Sequence, residues 1–330
     1  MEGKKSAGLC PDPGERRIDG GRKIDCRTGK QGNLKTESGT GGDGNLEDNI
    51  RDRNGLTEEE FLASYRPEDF ERPSVAADMV IFAVADVEEE NYRRISEKEL
   101  RLLLIKRGGH PYLGCWALPG GFVRPTETAD QAASRELREE TGGDRVYLEQ
   151  LYTFSQPGRD PRTWVMSCSY MALIDGNSVK PHAGDDADQA AWFKVDWRLI
   201  GEREDVQVWE LSLSHGETLL RTVLEKRKED SFVRCSIADR GGLAFDHGQI
   251  IAYGLERLRG KLLYTDAAFH LMPEYFTLTE LKQVYEVILG RQLPGAAFRR
   301  KMASMVEETQ QYTEHKGHRP SRLYRRRTGG

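Results

Sequence analysis

Three glutamates, Glu136, Glu139 and Glu140, stand at i, i+3 and i+4 within GGFVRPTETADQAASRELREETGG, residues 120–143. On a helix, that spacing projects three carboxylates from the same turn. Left without a cation they repel, at about 0.2–0.5 kcal/mol for each like-charged pair. A helix that needed only solubility would intersperse lysines here. A hard divalent cation resolves the conflict, because Mg²⁺ and Mn²⁺ prefer carboxylate and water oxygens. The alternative is a plain acidic helix facing solvent.

The helix that must hold these groups has readable ends. Thr128 is the expected N-cap, with Gln131 as its capping-box partner. Gly142 stands where a helix takes a C-terminal glycine. Ala129, Ala133 and Leu137 recur at four-residue steps, a narrow apolar stripe suited to lying against a sheet.

Gly121, Glu127, Arg135-Glu136, Leu137, Glu139-Glu140 and Gly142 together resemble the Nudix box. The one departure is Gly143, where the family has an aliphatic packing residue. The resemblance implies that Glu136, Glu139 and Glu140 are catalytic and bind Mg²⁺ or Mn²⁺. It also implies that Glu127 and Arg135 brace the loop and helix, and that Gly120 and Gly121 meet the substrate or the metal. The reaction implied is attack of water on a nucleoside diphosphate linked to another group. The general base stays open among Glu139, Glu140 and the loop residues Asp185 and Asp186.

The 330 residues leave room for two domains. The chain is 37% hydrophobic and 31% charged, has no apolar run of membrane-spanning length, and shows no signal-peptide core near its start, so no membrane partner and a cytoplasmic location are expected. Five scattered cysteines without a CxxC pair indicate neither a disulfide framework nor a zinc site. Residues 1–54 are rich in glycine and charge and poor in large apolar side chains, the composition of a disordered tail. A short acidic helix is expected from near Leu56.

Between Pro73 and Lys228, β-rich runs alternate with polar stretches. AADMVIFAVA and LRLLLIKRG read as neighbouring antiparallel strands, and several more strands follow the acidic helix. The fold class expected is α/β (α+β): an α/β/α sandwich with a mixed sheet, as the resemblance also implies. PSVAADMVIFAV, LGCWALPGGFV, GRDPR and AGDDADQAAWF are similar to ADP-ribose pyrophosphatase-like Nudix proteins that carry a C-terminal DNA-binding domain. In that setting Arg159 and Arg162 would meet substrate phosphates, and Tyr152, Phe154 or Trp116 would stack on a base. The ordinary alternatives are solvated arginines and core aromatics.

After about Arg240 helical periods take over. Asp246 reads as the cap of a helix with Ile250, Ile251, Gly254, Leu255 and Leu258 on one face. Thr277 and Glu280 form a capping box for a second helix, ended by Gly290. A third, AAFRRKMASMVEE, turns Phe298, Met302 and Met305 inward, and two short strands follow around a basic turn. This order resembles the winged helix-turn-helix of Nudix-related transcriptional regulators. It implies DNA contacts from Arg299, Arg300 and Lys301 on the second helix of the pair, and from Lys316, Arg319 and Arg322 on the wing. Residues 295–330 carry nine Lys/Arg against three Glu, so an acidic body ends in a basic segment. The alternative is an accessory or dimerisation domain.

The domain plan expected is therefore a tail over 1–54, a Nudix domain over 55–240 and a winged helix over 241–330. Because every acidic position of the box is kept, the sequence reading favours a Mg²⁺-dependent hydrolase of ADP-ribose-like nucleotides that also binds DNA. Its alternative is a transcriptional regulator whose Nudix domain senses such a metabolite. A homodimer is expected if the winged helix reads a palindrome.

Overall fold

The computed structural model describes residues 50–87, 96–142, 146–176, 187–229, 232–313 and 320–327. Residues 1–49 of the expected tail lie outside this set, as do Gly143, Asp185, Asp186, Lys316 and Arg319. Residues up to Phe70 form a unit of their own. There, helix α1 (Glu58–Ser64) opens on a complete Thr57–Glu60 capping box. The rings of Phe61, Tyr65 and Phe70 follow one another at 5.6 and 5.5 Å.

The unit from Glu71 onward is built on one ten-stranded mixed sheet. Its strands are β1 (Ser74–Asp86), β2 (Lys98–Arg107), β3 (Trp116–Ala117), β4 (Gly120–Phe122), β5 (Tyr147–Phe154), β6 (Val165–Asp175), β7 (Ala187–Arg203), β8 (Val206–His215), β9 (Thr218–Glu229) and β10 (Phe232–Asp239). They run in the order β10-β9-β8-β7-β2-β1-β6-β5, with β3 on β2 and β4 on β1. Strands β1 and β2 pair antiparallel, Phe82 opposite Leu102, as their sequence leads one to expect. Among the described strand pairs, only β1 and β6 run parallel. Both are apolar almost throughout, as strands covered on two faces must be.

Alternation along β1 assigns the two faces. Ala77, Met79 and Ile81 point to one side, where α2 (Ala129–Thr141) lays Ala132, Ala133 and Leu137 against them. Val80, Phe82 and Val84 point to the other, where α3 (His247–Lys261) packs Ile250, Ile251, Leu255 and Leu258. That second core runs on into α4 (Leu278–Leu289) through Leu281, Val284, Tyr285 and Ile288, and into α5 (Gly295–Met302) through Phe298 and Met302. Strands β11 (Val306–Tyr312) and β12 (Arg322–Arg326) pair as the wing. The architecture is an α/β/α sandwich with a mixed sheet, joined to a winged helix-turn-helix, as the sequence resemblance implies.

The capping boxes at Thr128–Gln131 and Thr277–Glu280 are both complete, and Gly142 and Gly290 close α2 and α4 in left-handed conformation. Two expectations need correction. Helix α5 stops at Met302, because Val306 onward pairs with β12 and takes its backbone partners from that ladder. Asp246 occupies the N-cap position of α3 but makes no side-chain cap, since its carboxylate is engaged by Arg159. A cap is worth about 1 kcal/mol, against about 1.5–3 kcal/mol for each fully buried aliphatic side chain. Packing on the sheet, not capping, holds α3.

Candidate functional site

Strand β4 presents the start of the box. Gly121 lies opposite Ala77 and Gly120 opposite Asp78 on β1. A Cβ at Gly121 would stand 2.1 Å from a carboxylate oxygen of Glu136, so only glycine lets that side chain lie against the strand. From α2, Arg135 donates twice to Glu127, at 2.8 and 3.2 Å, and once to Glu136, at 2.6 Å. Its guanidinium also comes within 3.6 Å of Glu139. The bidentate bond from Arg135, helped by the Arg124 backbone N–H, holds the Glu127 carboxyl down at about 2. Arg135 and Glu127 thus tie the loop to the helix.

The three box carboxylates do not share one exposed face. Glu139 is outward, with 52% of its side chain exposed, whereas Glu136 and Glu140 are buried. Burial first, then repulsion from Glu136 and Glu139, pushes the Glu140 carboxyl up to about 7. One Glu140 oxygen, Oε2, is buried without a hydrogen-bond partner. An orphaned carboxylate oxygen beside two further carboxylates fits a hard divalent cation in its donor chemistry. Among the described residues, however, no three His, Cys, Asp or Glu side chains gather at one point, and one Glu136 oxygen is taken by Arg135.

The raised carboxyl predicts a pH dependence with a definite sign. Glu140 favours folding fully below its ordinary value of 4.5, and that contribution is lost as pH rises through about 7. In metal-free protein, denaturant midpoints from pH 5 to 8 should therefore fall more steeply for wild type than for Glu140→Gln. Parallel profiles would remove Glu140 as the group responsible.

A second charged cluster lies beneath β4. Arg159, with only 4% of its side chain exposed, donates to both Asp246 oxygens at 2.9 and 2.7 Å and to Asp78 at 3.3 Å. Next to Asp246, the His247 ring accepts the Leu118 backbone N–H on Nδ1 at 2.9 Å, which leaves the ring proton on Nε2. Burial holds this histidine below its ordinary pKa, hence neutral. The expectation that Arg159 meets substrate phosphates is replaced by an internal role. Its guanidinium faces inward because Asp78 and Asp246 would otherwise be buried charges without a partner.

Arg162 lies at the rim. It forms a bidentate pair with Asp160 at 3.0 and 2.7 Å while 44% of its side chain stays exposed. Its guanidinium stands 5.6 Å from the ring of Phe122, which adjoins Gly121, and 5.9 Å from that of Phe245. An anion entering beside the box would meet this cation. Trp116 and Phe154 are core residues, while Tyr152 is largely exposed and 5.3 Å from Tyr253. Sequence reasoning overlooked Asp78, Asp160 and His247. Asp78 did leave a signal, a lone charge inside the apolar run of β1.

In the helix-turn-helix, Arg299 and Arg300 of α5 are exposed and make no ion pair among the described residues. Lys301 differs. Its Nζ donates to the carbonyls of Leu262 and Leu263 at 3.1 and 3.2 Å, so any DNA contact from this exposed lysine competes with a tie onto the end of α3. On the wing, Arg322 pairs with Glu308 and with the Tyr312 hydroxyl, Arg325 with Glu307, and Arg326 with Asp266.

A braced acidic helix on a mixed sheet, followed by a winged helix, defines a Nudix domain coupled to a DNA-binding module. Residues 93–206 match the NUDIX domain model, and residues 268–326 match the NrtR DNA-binding winged helix domain. The chain is 35% identical over 276 residues to the ADPR responsive transcriptional repressor NtrR of Acinetobacter baylyi, covering 82% of this chain and 89% of that one. It belongs to the Nudix family and carries a C-terminal winged helix of the NrtR type. The ADP-ribose pyrophosphatase of Methanocaldococcus jannaschii is 44% identical over 102 residues, 31% of this chain and 59% of the relative. The crystal structure of Shewanella oneidensis NrtR complexed with a 27mer DNA is 28% identical, with a TM-score of 0.51, over 77% of this chain and 93% of that one. Among the described residues no helix is long and apolar enough to cross a membrane.

Proposed function

We propose that this protein is a transcriptional regulator whose Nudix domain senses ADP-ribose or a related nucleoside diphosphate derivative and sets the affinity of the winged helix for operator DNA. The observation that carries this reading is the extent of the A. baylyi likeness, which takes in 82% of this chain and 89% of the repressor. The pyrophosphatase likeness covers 102 residues, 31% of this chain. The balance therefore moves from the hydrolase favoured by the acidic box alone to the regulator.

In this reading Gly120, Gly121 and Arg162 line the nucleotide pocket, with Arg162 meeting phosphate at the rim. Glu136, Glu139 and Glu140 hold Mg²⁺ or Mn²⁺, and Glu127 and Arg135 keep that helix in register with the loop. When bound, such a cation neutralises diphosphate charge and lowers the pKa of a bound water. Arg299 and Arg300 enter the DNA groove, with Arg319 and Arg322 on the wing beside the backbone. A homodimer supplies two readers for a palindromic operator. The domain plan read from the sequence, a tail over 1–54, a Nudix part over 55–240 and a reader over 241–330, is kept except that α3, the second helical layer of the sandwich, goes with the Nudix part.

The test is a titration of labelled DNA from upstream of the protein's own gene, with and without saturating ADP-ribose, at fixed salt. A change in Kd of about 5–150-fold is expected, the ordinary range of allosteric coupling. Binding that ADP-ribose leaves unchanged would reject the sensor, and no binding at low salt would reject the reader. Turnover of ADP-ribose with Mg²⁺ or Mn²⁺ at about 1–10³ s⁻¹, the usual range for enzymes, would restore the hydrolase as the main activity.

A further inference from the structure

One helix is held at its two ends by the two parts of the molecule. At the start of α3, Asp246 takes both bonds from Arg159, and His247 accepts the N–H of Leu118, two residues ahead of Gly120. Arg159 shares its loop with Arg162, the cation beside Phe122, only three residues away. An anion drawing on Arg162 therefore acts on the loop that holds Asp246.

The other end of the helix meets the reader. Arg259 donates from Nε to the carbonyl of Ile288 at 2.8 Å, and its NH2 reaches the Trp197 carbonyl of β7 at 3.4 Å. Ile288 lies in the last turn of α4, where carbonyls lack partners within their own helix. Lys301 of α5 closes the contact from the opposite side, on the Leu262 and Leu263 carbonyls that follow α3. Both helices of the helix-turn-helix are thus bonded to the C-terminal end of α3. Fifteen residues of helix separate the two ends, about 22 Å. Between them Ile250, Ile251, Leu255 and Leu258 are fully buried, so the helix is close-packed along its length. Other direct contacts bypass it: α4 packs against β2, where its Gln283 donates to the Ser96 carbonyl at 3.1 Å, and the 3-10 turn Ala267–Leu271 packs on β6.

We propose that α3 is the element that couples the nucleotide pocket to the DNA reader, with the Arg159–Asp246 pair as its input and Arg259 as its output. The proposal rests on the sensing function above and names how that sensing is transmitted. Arg159 is too deeply buried to release Asp246 into solvent, so a shift of its loop carries α3 with it. Close-packed interiors pass such small shifts on as discrete rearrangements of whole elements.

The experiment compares full-length wild type, Arg259→Met, Arg259→Lys and Gln283→Met. Each is titrated with operator DNA with and without ADP-ribose, and with ADP-ribose alone. Wild type should show a ratio of DNA Kd values of about 5–150. Arg259→Met should bind each ligand alone as wild type does, while its ratio falls to within about twofold of one. Arg259→Lys, which keeps a donor for the Ile288 carbonyl, should recover part of the ratio, and Gln283→Met should retain it. A wild-type ratio in Arg259→Met, or its loss in Gln283→Met alone, would overturn the assignment to α3 and leave the sensing function standing. A ratio of one in wild type would overturn both. Should Arg259→Met fail to fold, hydrogen exchange on wild type decides: ADP-ribose should alter protection at residues 247–250 and 286–290 together. No change at 286–290 would overturn the proposal.

Discussion

Arg159→Met should destabilise the fold by about 3–5 kcal/mol, the usual cost of removing one partner from a buried ion pair. The guanidinium is almost wholly enclosed, and its loss strands two carboxylates, Asp78 and Asp246, below the box. Against a typical total of about 5–15 kcal/mol, that is a large share. Urea unfolding at pH 7 measures it. Arg159→Met/Asp246→Asn should recover part of the loss, because one of the stranded charges is gone. Arg162→Met supplies the contrast. Only its own side chain is half-exposed, for Asp160 is buried, but one carboxylate is stranded rather than two and the residue-162 backbone N–H still donates to it, so the change should cost less than Arg159→Met. Equal losses for Arg159→Met and Arg162→Met would show that Arg159 does not hold the cluster together.

Arg299→Ala/Arg300→Ala should produce the largest loss of DNA binding. Neither arginine makes an ion pair among the described residues, so neither must leave a carboxylate before meeting a phosphate or base. A hydrogen bond to a charged group is worth about 1.5–3 kcal/mol, hence roughly tenfold or more in Kd for each arginine. If both meet phosphates, the slope of log K against log salt should also become shallower by about two. Arg322→Ala should do less, since DNA gains that cation only by breaking its pair with Glu308. Lys301→Ala should lower stability and leave the salt slope alone, because its donors are engaged with the end of α3. Anisotropy titrations at several salt concentrations separate these outcomes. An unchanged slope in the double variant would move the DNA surface away from α5.

The elements legible in the sequence are those whose causes lie within a few residues. Thr128 and Gln131, or Thr277 and Glu280, close capping boxes across three positions. Glu127 and Arg135 meet across eight residues, which the turn leading into α2 brings together. The apolar periods of α2, α3 and α4 named the faces that are buried, because side chains four apart share a face whatever lies opposite. The end of α5 was misplaced for the complementary reason. The residues after Met302 continue a helical pattern, yet their backbone bonds come from β12, some twenty positions later.

What the sequence determined by itself is therefore the local chemistry: an acidic helix braced by Arg135, a mixed α/β body, and a basic helical end. Only the tertiary structure decided where each charge points. Arg159 and Arg162 are three residues apart in one loop and look alike in sequence, but one faces inward and the other the rim. Arg159 turns in because the fold brings Asp78 and Asp246 to it from 81 and 87 residues away. Lys301 stands beside Arg300 in α5, yet it turns to carbonyls at Leu262 and Leu263, 39 and 38 residues back. Burial makes a charge seek a partner, and only the packing of the sheet against α3 determines which charges are buried and which partners lie within reach.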